Sequence, residues 1–219
     1  MKTPHFKYEN EYWQKGYVVI GIDEVGKGCL AGPITVGAVA FAPTLTPQEK
    51  RKILATGIND SKQLTAKKRE QLIHIIKNKS HYTSTASSDV ELINSKGIEQ
   101  ALSQAIANII LKYRLDFPDN KILLLVDGRT IANIPYINDI ERKHIVKGDS
   151  ICVSIAAASI VAKVSRDDYM RTLLGHEKYA WERNKGYGTK HHREAIIQYG
   201  ITKYHRTLFV RNVLSSVPK

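Results

Sequence analysis

Only two cysteines, Cys29 and Cys152, occur among the 219 residues, and they form no C-x-x-C pair. That scarcity argues against a disulfide framework or a zinc–thiolate site, and both residues are expected to be small, buried, reduced thiols. No apolar run approaches the roughly 20 residues that span a bilayer. Residues 1–16 carry no apolar signal core, so a cytoplasmic chain without membrane association is expected. Internal repeats and low-complexity tracts are also missing. Acidic residues are in short supply, 21 against 33 basic ones, for a formal net charge of +12. A surplus of that size points to a polyanionic partner. Several acids nevertheless sit inside strong motifs, which suits a metal-dependent enzyme acting on phosphates better than a simple binder.

Hydrophobic residues make up 42% of the chain, enough for one sizeable α/β domain. Tyr17-Val-Val-Ile-Gly-Ile22 is β-branched and short, and predicts a strand ending at or near Asp23. Pro33 to Phe41 predicts a second strand, joined to the first as a hairpin, with proline at its start where a missing N–H is harmless. Helices are expected over Thr46–Ala55, with Pro47 at its first position, and from Thr65 as N-cap to Asn78. His81–Ser88 reads as a third strand. Gly97–Arg114 has apolar residues at three- and four-residue steps and predicts a helix lying flat on a sheet. Lys121-Ile-Leu-Leu-Leu-Val-Asp127 is a continuous apolar run, typical of a strand buried on both faces. Arg142–Val146 supplies a fifth strand, and Ser150 is the expected cap of an alanine-rich helix over Ile151–Val164. The remainder is helical and polar, interrupted at Asn184–Thr189. This order predicts a mixed sheet flanked by helices. The expected division is an extension over 1–16, a core over 17–168 and a C-terminal helical lobe over 169–219.

Two of the predicted central strands end on carboxylates, Asp23-Glu24 and Asp127, and Asp149 follows a third. A core strand would not end on bare anions without a use for them. Two such charges about 4 Å apart repel by about 4 kcal/mol at a surface-like dielectric. Divalent cations remove that penalty, and an all-oxygen donor set selects magnesium or manganese over zinc. Gly21-x-x-x-x-Gly26-Lys27 imitates the frame of a phosphate-binding P-loop, but the imitation fails. Gly28 stands where a Ser or Thr must reach magnesium, two anions would occupy the phosphate cradle, and a strand follows instead of a helix.

The block Gly21-Ile-Asp-Glu-Val-Gly-Lys-Gly-Cys-Leu-Ala-Gly-Pro33 closely resembles the first motif of bacterial type 2 ribonucleases H. Asn59-Asp-Ser-Lys-Gln-Leu-Thr65, Val126-Asp-Gly128, Lys147-Gly-Asp-Ser150, Ser154–Asp167, Asn184-Lys-Gly-Tyr-Gly-Thr-Lys190 and His205-Arg206 agree in the same order. The resemblance runs from about Gly16 to Phe209. It implies an RNase H-like five-stranded fold and an endonuclease acting on the RNA strand of RNA–DNA hybrids and on ribonucleotides embedded in duplex DNA. Products with 5′-phosphate and 3′-hydroxyl ends, and a role in ribonucleotide removal during DNA replication and repair, are implied likewise. Its metal ligands and catalytic residues would be Asp23, Glu24, Asp127 and Asp149, holding two Mg2+ or Mn2+ ions. The 2′-hydroxyl is the group that separates RNA from DNA at one sugar, and in the family a glycine-flanked turn and a tyrosine read it. The matching residues are Gly26, Lys27, Gly28 and Tyr187.

Most relatives are expected to carry arginine where this chain has Lys27, which keeps the charge and loses the fork geometry. Lys62 is a further substrate-binding candidate. Ser159 is expected to be structural, Arg166 and Asp167 to support the site, and His191 and His192 to be surface residues or backbone contacts. A monomer is expected, with a sliding clamp as a candidate partner. The rival readings are a type 3 ribonuclease H and a non-catalytic hybrid-binding protein. The turn with Tyr187, and the lack of a long N-terminal substrate-binding region, favour type 2.

Overall fold

Strand β1 (Val18–Val25) lies at the centre of a five-stranded sheet in a computed structural model that describes residues 3–128 and 134–215. It pairs antiparallel with β2 (Ile34–Ala40), which pairs antiparallel with β3 (Tyr82–Ser88). On its other side β1 runs parallel to β4 (Ile122–Asp127), and β4 runs parallel to β5 (Glu141–Ile145). The order β3-β2-β1-β4-β5 is the mixed sheet expected from the sequence.

Helix α1 (Lys7–Trp13) precedes the sheet, and α2 (Pro47–Ala55) and α3 (Ala66–Lys79) lie between β2 and β3. Thr46 closes a capping box with Glu49 at the start of α2, and the Thr65 hydroxyl caps α3. Helices α4 (Val90–Lys96) and α5 (Ile98–Asp116) connect β3 to β4. The expected helix over Gly97–Arg114 is therefore the second of two. Gly97, at φ 87°, separates them, because that backbone conformation breaks a helix and favours glycine. After β5 come α6 (Val153–Thr172), α7 (Trp181–Asn184), α8 (Lys190–Tyr199) and α9 (Thr207–Leu214). Among the described residues no helix is long and apolar enough to cross a membrane.

Alternation along the strands divides the core. Ile20, Ile22, Val36, Ala38, Leu124 and Val126 pack with Leu102, Ala105, Ile106, Ile109 and Ile110 of α5. The opposite face receives α6, in which every residue from Val153 to Ala162 is buried. Two glycines let α6 approach: a Cβ on Gly21 would stand 2.2 Å from the Ser154 carbonyl carbon, and one on Gly37 would stand 2.2 Å from the Ala158 oxygen. Small residues on both sides thus bring helix backbone against strand backbone beneath β1.

Ser150 does not cap α6. It ends a short 3-10 turn, Gly148–Ser150, and the helix begins three residues later at Val153 with no side-chain bond from its own N-cap residue, Cys152. Cys29 and Cys152 are both free and buried.

Candidate active site

The parallel register sets Ile22 opposite Val126, so Asp23 and Asp127, each one residue further, reach the same edge of the sheet. Asp149 comes to that edge from the 3-10 turn after β5. The turn is tied to β4, because Asp127 Oδ1 accepts the Gly148 N–H at 2.6 Å. Gly148 fits closely there: a Cβ would stand 2.6 Å from Ile155 Cδ1 and 3.3 Å from Asp127 Oδ1. Asp23 and Glu24 are neighbours on one strand and so start toward opposite faces. Asp23 lies on the α6 side, near Ser159; Glu24 lies nearer Lys27 and Glu99.

Three of these acids are raised by burial and by at least one other acid of the group. Burial raises the Asp23 pKa well above the usual carboxylate range, and the charges of Glu24, Asp127 and Asp149 push it further. Glu24 is raised by burial and by Asp127 against the opposing pull of Lys27. Asp149 is raised by burial, then by Asp127 and Asp60, and Lys62 partly offsets this. Among the described residues no three Asp, Glu, His or Cys side chains stand close enough together to hold a metal ion as they are. The donor set fits hard divalent cations all the same. It is all oxygen, it gathers at one strand edge, and its mutual repulsion is the penalty a cation cancels.

Lys62 sits in the field of the same acids. Burial works against its charge, yet Asp23, Asp60, Asp149 and Asp127 together raise its pKa. Its turn, Ser61–Gln63, is capped by Asp60 and fastened to α6 by the Ser159 hydroxyl, which donates to Ser61 Oγ at 2.7 Å. Ser159 therefore ties the Lys62 turn to α6, a structural role as expected. Arg69 adds a second tie, donating to the carbonyls of Ser61 and Leu64 and facing Asp167 at 3.8 Å.

The turn Gly26-Lys27-Gly28 is held from beneath by two arginines with no exposed surface. Arg166 donates to the carbonyls of Pro33, Lys185 and Ala31, and Arg206 to those of Gly32 and Lys27. Gly26 has φ 95°, and a Cβ on it would lie 2.3 Å from Arg166 Nε. The support expected of Arg166 is thus given to the turn. A Cβ on Gly28 would meet nothing within 4 Å. The Lys27 ammonium pairs with Glu99, in the first turn of α5, at 2.8 Å.

Tyr187 is brought beside this turn from a distant part of the chain. The Gly186 carbonyl accepts the N–H groups of Leu30 and Ala31 at 2.8 and 3.2 Å, and Tyr187 lies near the Cys29 thiol, whose S–H donates to the Lys185 carbonyl at 3.7 Å. Burial and that neighbour push the phenol pKa up to about 12. His192 departs from the expected surface position, for it is fully buried, although one of its ring nitrogens does meet a backbone carbonyl, that of Tyr187. Its i, i+4 neighbours within α8 include no ligand-type residue, which is why its role was hidden in the sequence.

A family model described as Ribonuclease HII matches residues 20–212. The chain belongs to the ribonuclease HII family. Curated ribonucleases HII similar to it include that of Thermosynechococcus vestitus, 40% identical over 95% of this chain and 92% of that protein. Another, from the Wolbachia of Brugia malayi, is 43% identical over 95% of this chain and 94% of that protein. Among solved structures, the RNase HII in a PCNA:RNase HII complex from Archaeoglobus fulgidus superposes with a TM-score of 0.68 at 25% identity, covering 86% of this chain and 93% of that one. The ribonuclease H2 of Pyrococcus horikoshii shares the fold, with a TM-score of 0.63 at 20% identity over 90% of this chain and 97% of that one. So does an RNase HIII solved with Mn2+, with a TM-score of 0.67 at 19% identity over 91% of this chain and 70% of that one. Membership in the ribonuclease HII family makes the chain an endoribonuclease of the ribonuclease H class and decides against the type 3 and non-catalytic readings.

Proposed function

We propose that this member of the family cleaves the RNA strand of RNA–DNA hybrids and incises duplex DNA at single ribonucleotides, leaving 5′-phosphate and 3′-hydroxyl ends. The observation that carries the reading is the arrival of Asp23, Asp127 and Asp149 at one sheet edge, where the charge of Asp127 acts on the other two, with Glu24 adjoining. These four acids are the proposed ligands of two Mg2+ or Mn2+ ions. When bound, such ions generate the nucleophile from water at neutral pH and stabilise the leaving 3′-oxygen. Lys62, beside the acids, is placed to meet a phosphate of the cleaved strand. The surplus of basic residues gathers the duplex as a whole.

Recognition of the ribonucleotide falls to Gly26, Lys27, Gly28 and Tyr187. Gly28 supports this reading: no protein atom requires glycine there, and the open space before it leaves backbone accessible to a sugar. The task proposed in the cell is removal of ribonucleotides from DNA in replication and repair, in the cytoplasm, by a monomer. The archaeal relative solved with PCNA supports a sliding clamp as partner.

The test is cleavage of a labelled DNA duplex containing one ribonucleotide, beside a continuous hybrid and an all-DNA duplex, with and without Mg2+ or Mn2+. A metal-dependent cut at the ribonucleotide is expected. Metal-independent cleavage, or none at the ribonucleotide, overturns the reading.

A further inference from the structure

Behind Tyr187 lies a buried chain of hydrogen bonds whose proton positions its neighbours dictate. His192 Nδ1 is 2.9 Å from the Tyr187 carbonyl, which only accepts, so the proton is on Nδ1. His192 Nε2 must then be an acceptor, and it receives the Trp181 indole N–H at 3.0 Å. His205 is held the other way round. Its Nδ1 accepts the Thr202 backbone N–H at 2.9 Å, leaving the proton on Nε2, which lies 3.2 Å from His192 Nε2 and donates to it.

All three rings have essentially no exposed surface. The indole N–H is a donor in every state, so it admits one tautomer of His192 and rejects the other. That tautomer aims a donor at the one carbonyl of the 184–189 segment belonging to Tyr187. The same bond joins the segment to α8, in which His192 also donates its backbone N–H to the Thr189 hydroxyl. The Tyr187 backbone is then held from the buried side, by His192 at its carbonyl. Trp181, His192 and His205 have no surface with which to meet substrate, so their effect must pass through the position of the tyrosine.

We infer that His192, locked by Trp181 and His205, is a positioning residue for ribonucleotide recognition, holding the Tyr187 backbone where the phenol meets the sugar beside Gly26-Lys27-Gly28. The inference rests on the reading of Tyr187 as a sugar contact. A residue that merely supported the fold would affect all substrates alike. A positioning residue for Tyr187 affects a lone ribonucleotide more than a continuous hybrid, in which neighbouring ribonucleotides offer other registers for cleavage.

The experiment measures kcat/KM on a duplex with one ribonucleotide and on a continuous hybrid, and takes their ratio, for Tyr187→Ala, His192→Ala, His192→Asn and the double variant Tyr187→Ala/His192→Ala. His192→Ala is expected to lower the ratio about three- to tenfold, the range one neutral hydrogen bond covers. Asparagine places an N–H donor near the position of Nδ1 and is expected to restore most of it. In the Tyr187→Ala background, removing His192 is expected to change the ratio no further. An equal loss on both substrates by folded His192→Ala, or a further drop in the double variant, overturns the inference. Should His192→Ala fail to fold, His192→Phe takes its place, since it keeps a ring in the buried space and removes the donor to the Tyr187 carbonyl; a ratio unchanged in folded His192→Phe then overturns the inference. An unchanged ratio in Tyr187→Ala overturns the reading of the tyrosine and this inference together. A lowered ratio there with an intact one in His192→Ala overturns this inference alone.

Discussion

The Glu9 carboxylate accepts both the backbone N–H and the hydroxyl of Ser154, at 3.0 and 2.6 Å, across 145 residues of chain. Ser154 is the second residue of α6, so a side chain from α1 satisfies one of the donors left open at that helix's start. Glu9 is fully buried. Burial raises its pKa, and the two bonds from Ser154 oppose the rise. The same Ser154 backbone rests on Gly21, two residues before Asp23.

Glu9→Ala therefore strips a buried donor pair and is expected to cost about 1–3 kcal/mol in urea unfolding. Glu9→Gln keeps an acceptor and should cost clearly less. Equal losses would show that the charge, and not the bond, sustains the joint.

Asp127→Asn tests the metal edge. Asparagine can still accept the Gly148 N–H, so the turn bearing Asp149 should survive and the melting temperature should hold. Cleavage should fall by orders of magnitude while hybrid binding persists, because a ligand charge is gone and the basic surface is not. Near-normal turnover removes Asp127 from the site.

Gly37 and Gly28 should respond oppositely to alanine. At Gly37 the new Cβ would stand 2.2 Å from the Ala158 oxygen, so α6 must lift from β2, at an expected cost of about 1–3 kcal/mol or more. At Gly28 it enters open space, and stability should be kept while incision at a single ribonucleotide declines. Chemical denaturation and the single-ribonucleotide assay separate the two.

Acid should weaken the packing around α7, α8 and α9 through its buried imidazoles. Burial and His192 hold the His205 pKa down at about 4, and burial, with the neighbouring His191, lowers His192. The unfolded chain binds these protons from about pH 6.5 downward. The unfolded state thus holds more protons between about 6.5 and 4, and stability falls as pH falls through that window. His205→Asn should flatten this part of the pH–stability curve. An unaltered slope would place the acid sensitivity elsewhere.

Periodicity and local chemistry were sufficient for much of the architecture. The β1 and β4 strands, the caps at Thr46 and Thr65, and the apolar face of α5 were readable because the signal for each lies within one segment. Asp127 at the end of β4 was readable for the same reason, since a charge that closes an apolar run is visible without knowing its neighbour, whereas β1 continues past Asp23 and Glu24 to Val25. Helices α1 and α4, seven residues each, were not, because segments so short draw stability from packing and carry little pattern of their own. Four arrangements arose from folding alone: Glu9 capping α6, Arg166 and Arg206 gathering carbonyls under the glycine turn, Tyr187 lying near Cys29, and His192 set between Trp181 and His205. Each joins groups distant along the chain through burial, and local sequence holds no record of which buried donor will face which acceptor.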